Sequence, residues 1–192
     1  MLKPPNVGAL DAARAQLVTQ LRAHALVIGE VTLTSGATAS YYVDAKRAIL
    51  RPEGFNALAT LVAGWAQEWN VSAVGGMTMG ADPVACAALA GGAHAKAFFV
   101  RKQTKTHGLQ RKIEGPPLTL EDRCMVVEDV VTTGGSTLAA IAAVQEAGLT
   151  ICGVISVLDR LAGGGAAIEA AAGAPYVALT TIDDVYPERE GR

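Results

Sequence analysis

The stretch that decides the fold is "RCMVVEDVVTTGGST", residues 123–137. An apolar run ends in the acidic pair Glu128-Asp129 and continues through hydroxylated residues and Gly134-Gly135. This order is typical of a buried strand, a glycine-rich turn and the start of a helix. The backbone N–H groups at such a helix start, together with the helix dipole, favour a bound anion.

Four further apolar runs alternate with helical patterns along the chain. Runs with few polar residues, separated by helices, indicate parallel strands that are buried on both faces. We therefore predict an α/β fold with a central, mostly parallel sheet flanked by helices, forming one domain over residues 1–192. Two short strands around a Ser-Gly turn add a small N-terminal hood, about residues 1–50, packed on this core. The predicted strands are 71–76, 95–100, 123–129, 150–158 and 175–180, and the clearest helices are 7–25, 53–68, 82–91 and 135–147.

Composition excludes several classes of protein. Hydrophobic residues make up 51% of the chain, which argues against disorder, and the net charge of −2 argues against a nucleic-acid partner. The apolar stretch 138–158 is interrupted by Gln145 and Glu146, so it falls short of the roughly 20 residues of a membrane span. With no apolar run near the N-terminus for a signal peptide, we predict a cytoplasmic protein. Cys86, Cys124 and Cys152 are predicted to be small core residues in a reducing compartment.

The acidic pair and the turn after it predict a ligand whose two ends differ in charge and chemistry. Phosphate would be repelled by Glu128 and Asp129, which instead suit sugar hydroxyls, directly or through a divalent metal. The hydroxyl groups and glycines of 132–137 suit a phosphate. The motifs Gly-x-x-x-x-Gly-Lys-Ser/Thr and Gly-x-Gly-x-x-Gly of common nucleotide sites are absent here. A sugar phosphate fits both ends, and the alternative is a structural turn with solvated acids.

A basic segment, "RKQTKTHGLQRKIEG" at 101–115, follows a predicted strand. A loop of this length in a compact domain is usually functional or disordered. A nucleic-acid surface is disfavoured because the segment has no aromatic residue on which a base could stack. The remaining alternatives are a solvated loop and a loop that brings cations to a departing anion.

Residues 126–137, "VVEDVVTTGGST", resemble the 5-phosphoribosyl 1-pyrophosphate (PRPP) motif of type I phosphoribosyltransferases. The resemblance implies that fold, with Glu128 and Asp129 facing the ribose hydroxyls and residues 132–136 around the 5′-phosphate. The PRPP-binding residues that it implies in this motif are Glu128, Asp129, Val130, Val131, Thr132, Thr133, Gly134, Gly135 and Ser136.

The basic segment narrows the resemblance further. "VRKQTKTHG", 100–108, followed by "IEG", resembles the mobile catalytic loop of orotate phosphoribosyltransferases. By this resemblance the loop contacts PRPP and pyrophosphate, and it enters the neighbouring subunit's site, which implies a homodimer. The family also implies a requirement for Mg²⁺, bound mainly through PRPP, with Asp129 as the candidate protein ligand. The implied catalytic residues are Arg101, Lys102, Lys105, His107 and Asp129.

Three more stretches are similar to the same family: 33–46, 75–85 and 157–160. They imply an orotate site made by Tyr42, Val43, Thr132 and Arg160, and a guanidinium suits an anionic planar base. The chain departs from the family's common pattern at three places: Thr34 and Gly80 stand where lysines are common, and Val43 replaces an aromatic residue. We expect Lys46 and the basic loop to supply the missing positive charge.

The resemblance implies that orotate and PRPP give orotidine 5′-monophosphate and pyrophosphate. Two other functions remain open from the sequence: an enzyme of this fold acting on another base, and a PRPP-sensing regulator that has lost its chemistry. Arg160 and the loop around His107 favour orotate over other bases. The negative net charge and the intact basic loop argue against a regulator that binds nucleic acid.

Overall fold

The structure, a computed structural model, describes residues 7–32, 38–102 and 112–189. The described residues form eight strands and seven α-helices. The strands are β1 (Leu26–Thr32), β2 (Thr38–Val43), β3 (Ala73–Met77), β4 (Lys96–Val100), β5 (Ile113–Glu114), β6 (Arg123–Val131), β7 (Thr150–Asp159) and β8 (Tyr176–Thr181). The helices are α1 (Val7–Gln20), continued by a π-helical turn (Leu21–Ala25), α2 (Lys46–Ile49), α3 (Pro52–Glu68), α4 (Ala81–Ala90), α5 (Gly135–Glu146), α6 (Gly164–Ala172) and α7 (Ile182–Val185).

Six strands make one sheet in the order β5-β4-β3-β6-β7-β8, and β1 and β2 make a separate antiparallel hairpin. Within the six-stranded sheet all neighbours are parallel except β4 and β5. The predicted α/β fold with a mostly parallel sheet is therefore confirmed. The chain leaves β3 toward one edge and β6 toward the other, so their following loops diverge. Ligands of open α/β sheets bind at this kind of switch point, beyond the carboxyl ends of the strands.

The side chains of β6 alternate between two hydrophobic cores. Met125 and Val127 pack with α1, α3 and α4 on one face of the sheet. Cys124 and Val126 pack with α5 and α6 on the other face. Because both faces are covered, the strand carries no polar side chain between Arg123, at its exposed start, and Glu128, near its carboxyl end. The fold therefore places the acidic pair of β6 at the ligand-binding edge.

Three sequence predictions need correction. β6 does not end at Asp129 but continues to Val131, because β7 pairs with it as far as Val131 and Asp159. The two-residue strand β5 was missed, since a polar segment this short has no periodicity to detect. Cys86 is exposed on α4 and is not a core residue, whereas Cys124 is fully buried.

The hood is joined to the main core through α1 and the π-helical turn. Leu17 and Leu21 are buried in the same hydrophobic cluster as Leu58 and Val62 of α3. The organisation of the chain as one domain stays a prediction. Among the described residues no helix is long and apolar enough to cross a membrane.

Candidate active site

The acidic pair lies in β6 beyond the point where its neighbour β3 stops pairing with it. The last paired positions of β3 and β6 are Gly75 and Val126. Glu128 and Asp129 are 5% and 8% exposed, so their carboxylates are almost removed from bulk water. Two buried carboxylates side by side need a partner of opposite charge or a shared proton. The structure supplies a different solution for each.

Asp129 is paired with a lysine from the N-terminal part of the chain. Lys46 Nζ lies 2.9 Å from Asp129 Oδ2 and 2.9 Å from Asp44 Oδ1. Burial disfavours the ammonium, but hydrogen bonds to Asp129 and Asp44 outweigh it and raise the pKa of Lys46 above its ordinary value. Lys46 is therefore a fixed cation at the carboxyl edge of the sheet.

Among the described residues, Glu128 is bound by neutral donors. The hydroxyl of Thr137 donates to Glu128 Oε2 at 3.2 Å, and the backbone N–H of Asp129 donates to Oε1 at 3.2 Å. Burial, together with the negative charge of Asp129, raises the pKa of Glu128 to about 8. In the ligand-free protein the buried site therefore favours the protonated form of Glu128.

Gly80, in the loop after β3, lies directly against both carboxylates. A methyl group at this position would overlap the carboxylate of Asp129 and approach Glu128 Oε1 to 2.9 Å. The absence of a side chain at Gly80 thus allows the pair to lie next to this loop. Lys46 was expected to supply the positive charge that Gly80 lacks. Its ammonium reaches Asp129 from α2.

The turn after β6 is built for a close approach between two helix starts. Gly134 precedes α5 with a φ of 82°, which a residue with a side chain adopts only with strain. Gly164, at the start of α6, packs so tightly that a methyl group there would lie 2.6 Å from the carbonyl oxygen of Thr132 and 2.9 Å from Gly134 N. The run Gly163-Gly164-Gly165 thereby supports the turn from behind.

The front of this turn is open. Among the described residues, apart from Gly134, Ser136 and the backbone of α5, no atom lies within 4 Å of a methyl group built on Gly135. Thr133, Gly135 and Ser136 are exposed and Thr132 is half-buried, whereas Val131 is buried and Val130 half-buried. The exposed residues of the turn and the first N–H groups of α5 are therefore accessible to an anion.

Arg160 is attached to the same edge. Its backbone N–H donates to the carbonyl of Val131 at 2.8 Å, which ties the end of β7 to the end of β6. Its guanidinium carbon lies 4.9 Å from the centroid of the Tyr41 ring. Arg160 and Thr132, two of the predicted orotate contacts, therefore lie close to the phosphate turn.

The aromatic pair predicted for the orotate site lies at the end of β2. Val43 is 4% exposed and packs in the hydrophobic core, whereas Tyr42 is 40% exposed. Their contact with orotate stays a prediction. Tyr41, which faces Arg160, was missed because its partner lies at the end of β7, far away in the sequence.

Arg101 and Lys102 follow β4 at the same edge of the sheet. Arg101 Nη1 lies 3.4 Å from Glu114 Oε1 of β5, and Lys102 is exposed. Lys105, His107 and Thr34 lie outside the described residues. Within the described parts of the chain, no group of three or more His, Cys, Asp or Glu side chains could hold a metal ion.

Two further residues of the site were missed in the sequence. Asp44 shares the ammonium of Lys46, and Thr137 binds Glu128 from the first turn of α5. The hydroxylated run 132–137 was a signal for Thr137, which we read only as part of the phosphate turn. No sequence signal pointed to Asp44.

Comparison with known proteins gives a consistent result. No protein-family model matches the chain. Orotate phosphoribosyltransferase of Corynebacterium glutamicum (strain R) is 47% identical over 174 residues, which are 90% of this chain and 94% of that protein. The crystal structure of Mycobacterium tuberculosis H37Rv orotate phosphoribosyltransferase with Fe(III) dicitrate is 43% identical, with a TM-score of 0.78 over 91% of this chain and 99% of that one. The same enzyme with PRPP is 39% identical, with a TM-score of 0.77 over 90% and 98% of the two chains.

Proposed function

The chain belongs to the orotate phosphoribosyltransferase family, and from this premise we propose the following reaction and site. The enzyme transfers the 5-phosphoribosyl group of PRPP to orotate and gives orotidine 5′-monophosphate and pyrophosphate, a step of de novo pyrimidine (UMP) biosynthesis. The observation that carries this proposal is the buried pair Glu128-Asp129 directly before the open turn 132–136. Carboxylates that can bind ribose hydroxyls lie beside N–H groups that can bind a phosphate, and a phosphoribosyl group carries both.

PRPP would bind along this edge of the sheet. The 5′-phosphate accepts hydrogen bonds from the turn 132–136 and the first turn of α5, where the helix dipole favours negative charge. The ribose hydroxyls donate to Glu128 and Asp129. Because carboxylates repel phosphate, the ribose hydroxyls lie at the acidic pair and the 5′-phosphate lies at the turn.

Lys46 would contact the pyrophosphate end. Its ammonium is already held beside Asp129, and Gly80 leaves space in the loop where relatives of the common pattern have a lysine. A cation placed before the reaction costs no reorganisation when negative charge builds up on pyrophosphate. Lys46 is therefore proposed as a PRPP-binding residue in addition to those predicted from the motif.

We propose Mg²⁺ as the required metal. Mg²⁺ keeps several waters and prefers one or two carboxylates plus substrate phosphates, so the absence of a three-ligand cluster among the described residues fits this mode. Asp129 is the candidate protein ligand, with Glu128 beside it. When bound, the metal neutralises part of the charge on the pyrophosphate group.

Catalysis would rest on position and charge. A nitrogen of orotate attacks C1′ as pyrophosphate leaves, and no protein nucleophile is needed. Arg101, Lys102, Lys105 and His107 are proposed to meet the leaving group when their loop closes and excludes water. We propose that the enzyme is a homodimer in which this loop serves the neighbouring subunit's site.

Orotate would lie between the ribose and Arg160. The guanidinium offers a fork of donors to the oxygens of an anionic planar base. Arg160 and Thr132 are attached to the turn that binds the phosphate, so base and ribose are held by one rigid edge. We further propose a cytoplasmic location, in agreement with the free thiols of Cys86, Cys124 and Cys152.

A base-selectivity experiment tests this function. Pyrophosphate release would be measured with PRPP, Mg²⁺ and one base at a time: orotate, uracil, adenine or hypoxanthine. We expect release with orotate at a rate at least about a hundredfold above that with the others, since the site is built around a charged base. Release with a purine and not with orotate would contradict the proposed function.

A further inference from the structure

We propose that Tyr41 is a positioning residue for orotate recognition: its ring holds the guanidinium of Arg160 at the base site without neutralising its charge. This inference rests on the proposed function, in which Arg160 contacts orotate. Tyr41 belongs to the hairpin of the hood and Arg160 to the end of β7, so the contact joins two separate sheets.

The geometry is that of a cation over an aromatic face. Arg160 Cζ lies 4.9 Å from the centroid of the Tyr41 ring, within the roughly 6 Å over which the ring quadrupole attracts a cation. Both residues are half-buried, so the attraction is screened less than on an open surface.

The ring of Tyr41 is itself fixed from a third direction. Tyr186, just after α7, packs against it with ring centroids 5.6 Å apart and planes at 76°. The segment of Tyr186 is anchored in turn to α1, where Arg14 pairs with Asp184 at 2.7 Å. The packing against Tyr186 thus restricts the orientation of the Tyr41 ring.

The carboxylate of Asp159, the neighbour of Arg160 in the sequence, binds other donors. Asp159 Oδ1 accepts the backbone N–H of Leu161 at 2.7 Å, and Asp159 Oδ2 accepts the hydroxyl of Tyr176 at 2.9 Å. Arg160 Nε is buried, and in the described part of the chain no acceptor lies within hydrogen-bond distance of it.

Either a carboxylate or an aromatic ring could orient the side chain of Arg160, and the two have different effects on its charge. A carboxylate partner would orient Arg160 but would also satisfy its donors and cancel its charge. An aromatic ring attracts the cation through its face and leaves the edge donors of the guanidinium available. Tyr41 therefore preserves the affinity of Arg160 for an anionic base while it restricts the side chain to one place.

The test compares Tyr41→Leu with Tyr41→Phe in the full-length enzyme. We expect Tyr41→Leu to raise the KM for orotate about three- to tenfold, which matches the usual strength of a cation–π contact. Tyr41→Phe keeps the ring and should restore the wild-type KM within about twofold. The Kd of PRPP, measured by calorimetry, and kcat at saturating orotate should stay within about twofold in both variants.

Two more variants keep the inference testable if Tyr41→Leu folds poorly. Tyr186→Leu removes only the outer ring, and it should raise the KM for orotate about twofold. Trp65→Leu removes a half-buried aromatic residue that packs against Trp69, close to the opposite end of the sheet. It should lower the Tm without changing the KM for orotate.

Several outcomes would overturn the inference. An unchanged KM for orotate in Tyr41→Leu would show that the ring does not position Arg160. A Tyr41→Phe enzyme as weak as Tyr41→Leu would assign the effect to the hydroxyl, and an equal loss of PRPP affinity would show a general distortion of the site. A wild-type enzyme that does not consume orotate would instead refute the proposed function itself.

Discussion

Lys46 and Asp129, 83 positions apart in the chain, form an ion pair of 2.9 Å at the carboxyl edge of the sheet. The pair joins the helix after the N-terminal hairpin to the central strand that carries the acidic motif. It also places a cation beside Gly80, where the common pattern of the family has its own lysine. The pair therefore places a positive charge next to the acidic motif at this edge of the sheet.

Replacing Lys46 by Met should weaken PRPP binding. The ammonium is proposed to contact the pyrophosphate group, and the loss of a charge-assisted hydrogen bond corresponds to about tenfold or more in Kd. Calorimetric titration with PRPP and Mg²⁺ measures this directly. Lys96→Met is a matched control, because Lys96 is 2.8 Å from Asp122 and both lysine side chains are 37% exposed. Equal PRPP affinity in the two variants would remove Lys46 from the binding site.

Replacing Asp129 by Asn should also weaken PRPP binding, about ten- to a hundredfold in Kd, because the ribose hydroxyls lose a charged acceptor. The control is Asp122→Asn, at the amino end of β6, where the carboxylate binds Lys96, Ser72 and Thr119. That variant should lose thermal stability and keep its PRPP affinity. A Kd for PRPP that does not change in Asp129→Asn would refute the assignment of the acidic pair to the ribose.

The buried carboxyl group of Glu128 should make the stability of the ligand-free enzyme depend on pH. Burial, with the charge of Asp129, raises its pKa from 4.5 to about 8, so between these values the folded state binds a proton that the unfolded chain does not. The contribution is complete below about pH 4.5 and is lost as the pH rises through 8. We therefore expect the Tm of the ligand-free enzyme to fall as the pH rises through this range.

Thermal unfolding of wild type and Glu128→Gln between pH 5 and pH 8.5 measures this effect. The variant keeps a neutral, hydrogen-bonding side chain and should therefore show a flatter profile. Asp82, whose pKa burial also raises, contributes with the same sign and remains in both proteins. Parallel profiles of the two proteins would mean that Glu128 is ionised in the folded state.

Gly135→Ala separates binding from folding. A methyl group at this position has no atom of the described residues within 4 Å outside α5 and its chain neighbours, so the Tm should not fall. The methyl group would nevertheless enter the space proposed for the 5′-phosphate, and the Kd of PRPP should rise at least about tenfold. Normal PRPP affinity in Gly135→Ala would place the phosphate elsewhere.

Lys105→Ala should affect the rate rather than the affinity. If Lys105 meets the leaving pyrophosphate only after loop closure, kcat should fall about 10²–10³-fold while the Kd of PRPP changes by no more than a few fold. Single-turnover kinetics with PRPP titrated in parallel gives both values. Wild-type kcat in this variant would exclude Lys105 from the mechanism.

The fold could be predicted from the sequence because its signals are local. The runs around Val126 and Val154 are apolar over their whole length, and helical patterns separate them, which is enough to identify a parallel sheet. Strand pairing depends on residues that are distant in the sequence, so the predicted end of β6 was two residues early. Pairing with β7 keeps Val130 and Val131 in the strand.

The site could be predicted in part for the same reason. The acidic pair and its turn form one continuous motif, whereas the partners of that pair come from elsewhere in the chain. Lys46, which we expected to compensate in a general way, binds Asp129 only because α2 folds over the end of the sheet. Tyr41 had no such local signal: it lies on the same side of β2 as Val43, and its contact with Arg160 comes from the end of β7.

The most direct test of the function is the consumption of orotate, followed by its ultraviolet absorbance, with PRPP, Mg²⁺ and enzyme present and each omitted in turn. The proposed reaction predicts a loss of orotate absorbance only in the complete mixture, with the appearance of an equal amount of pyrophosphate. No loss of orotate in the complete mixture, while PRPP still binds in calorimetry, would contradict it.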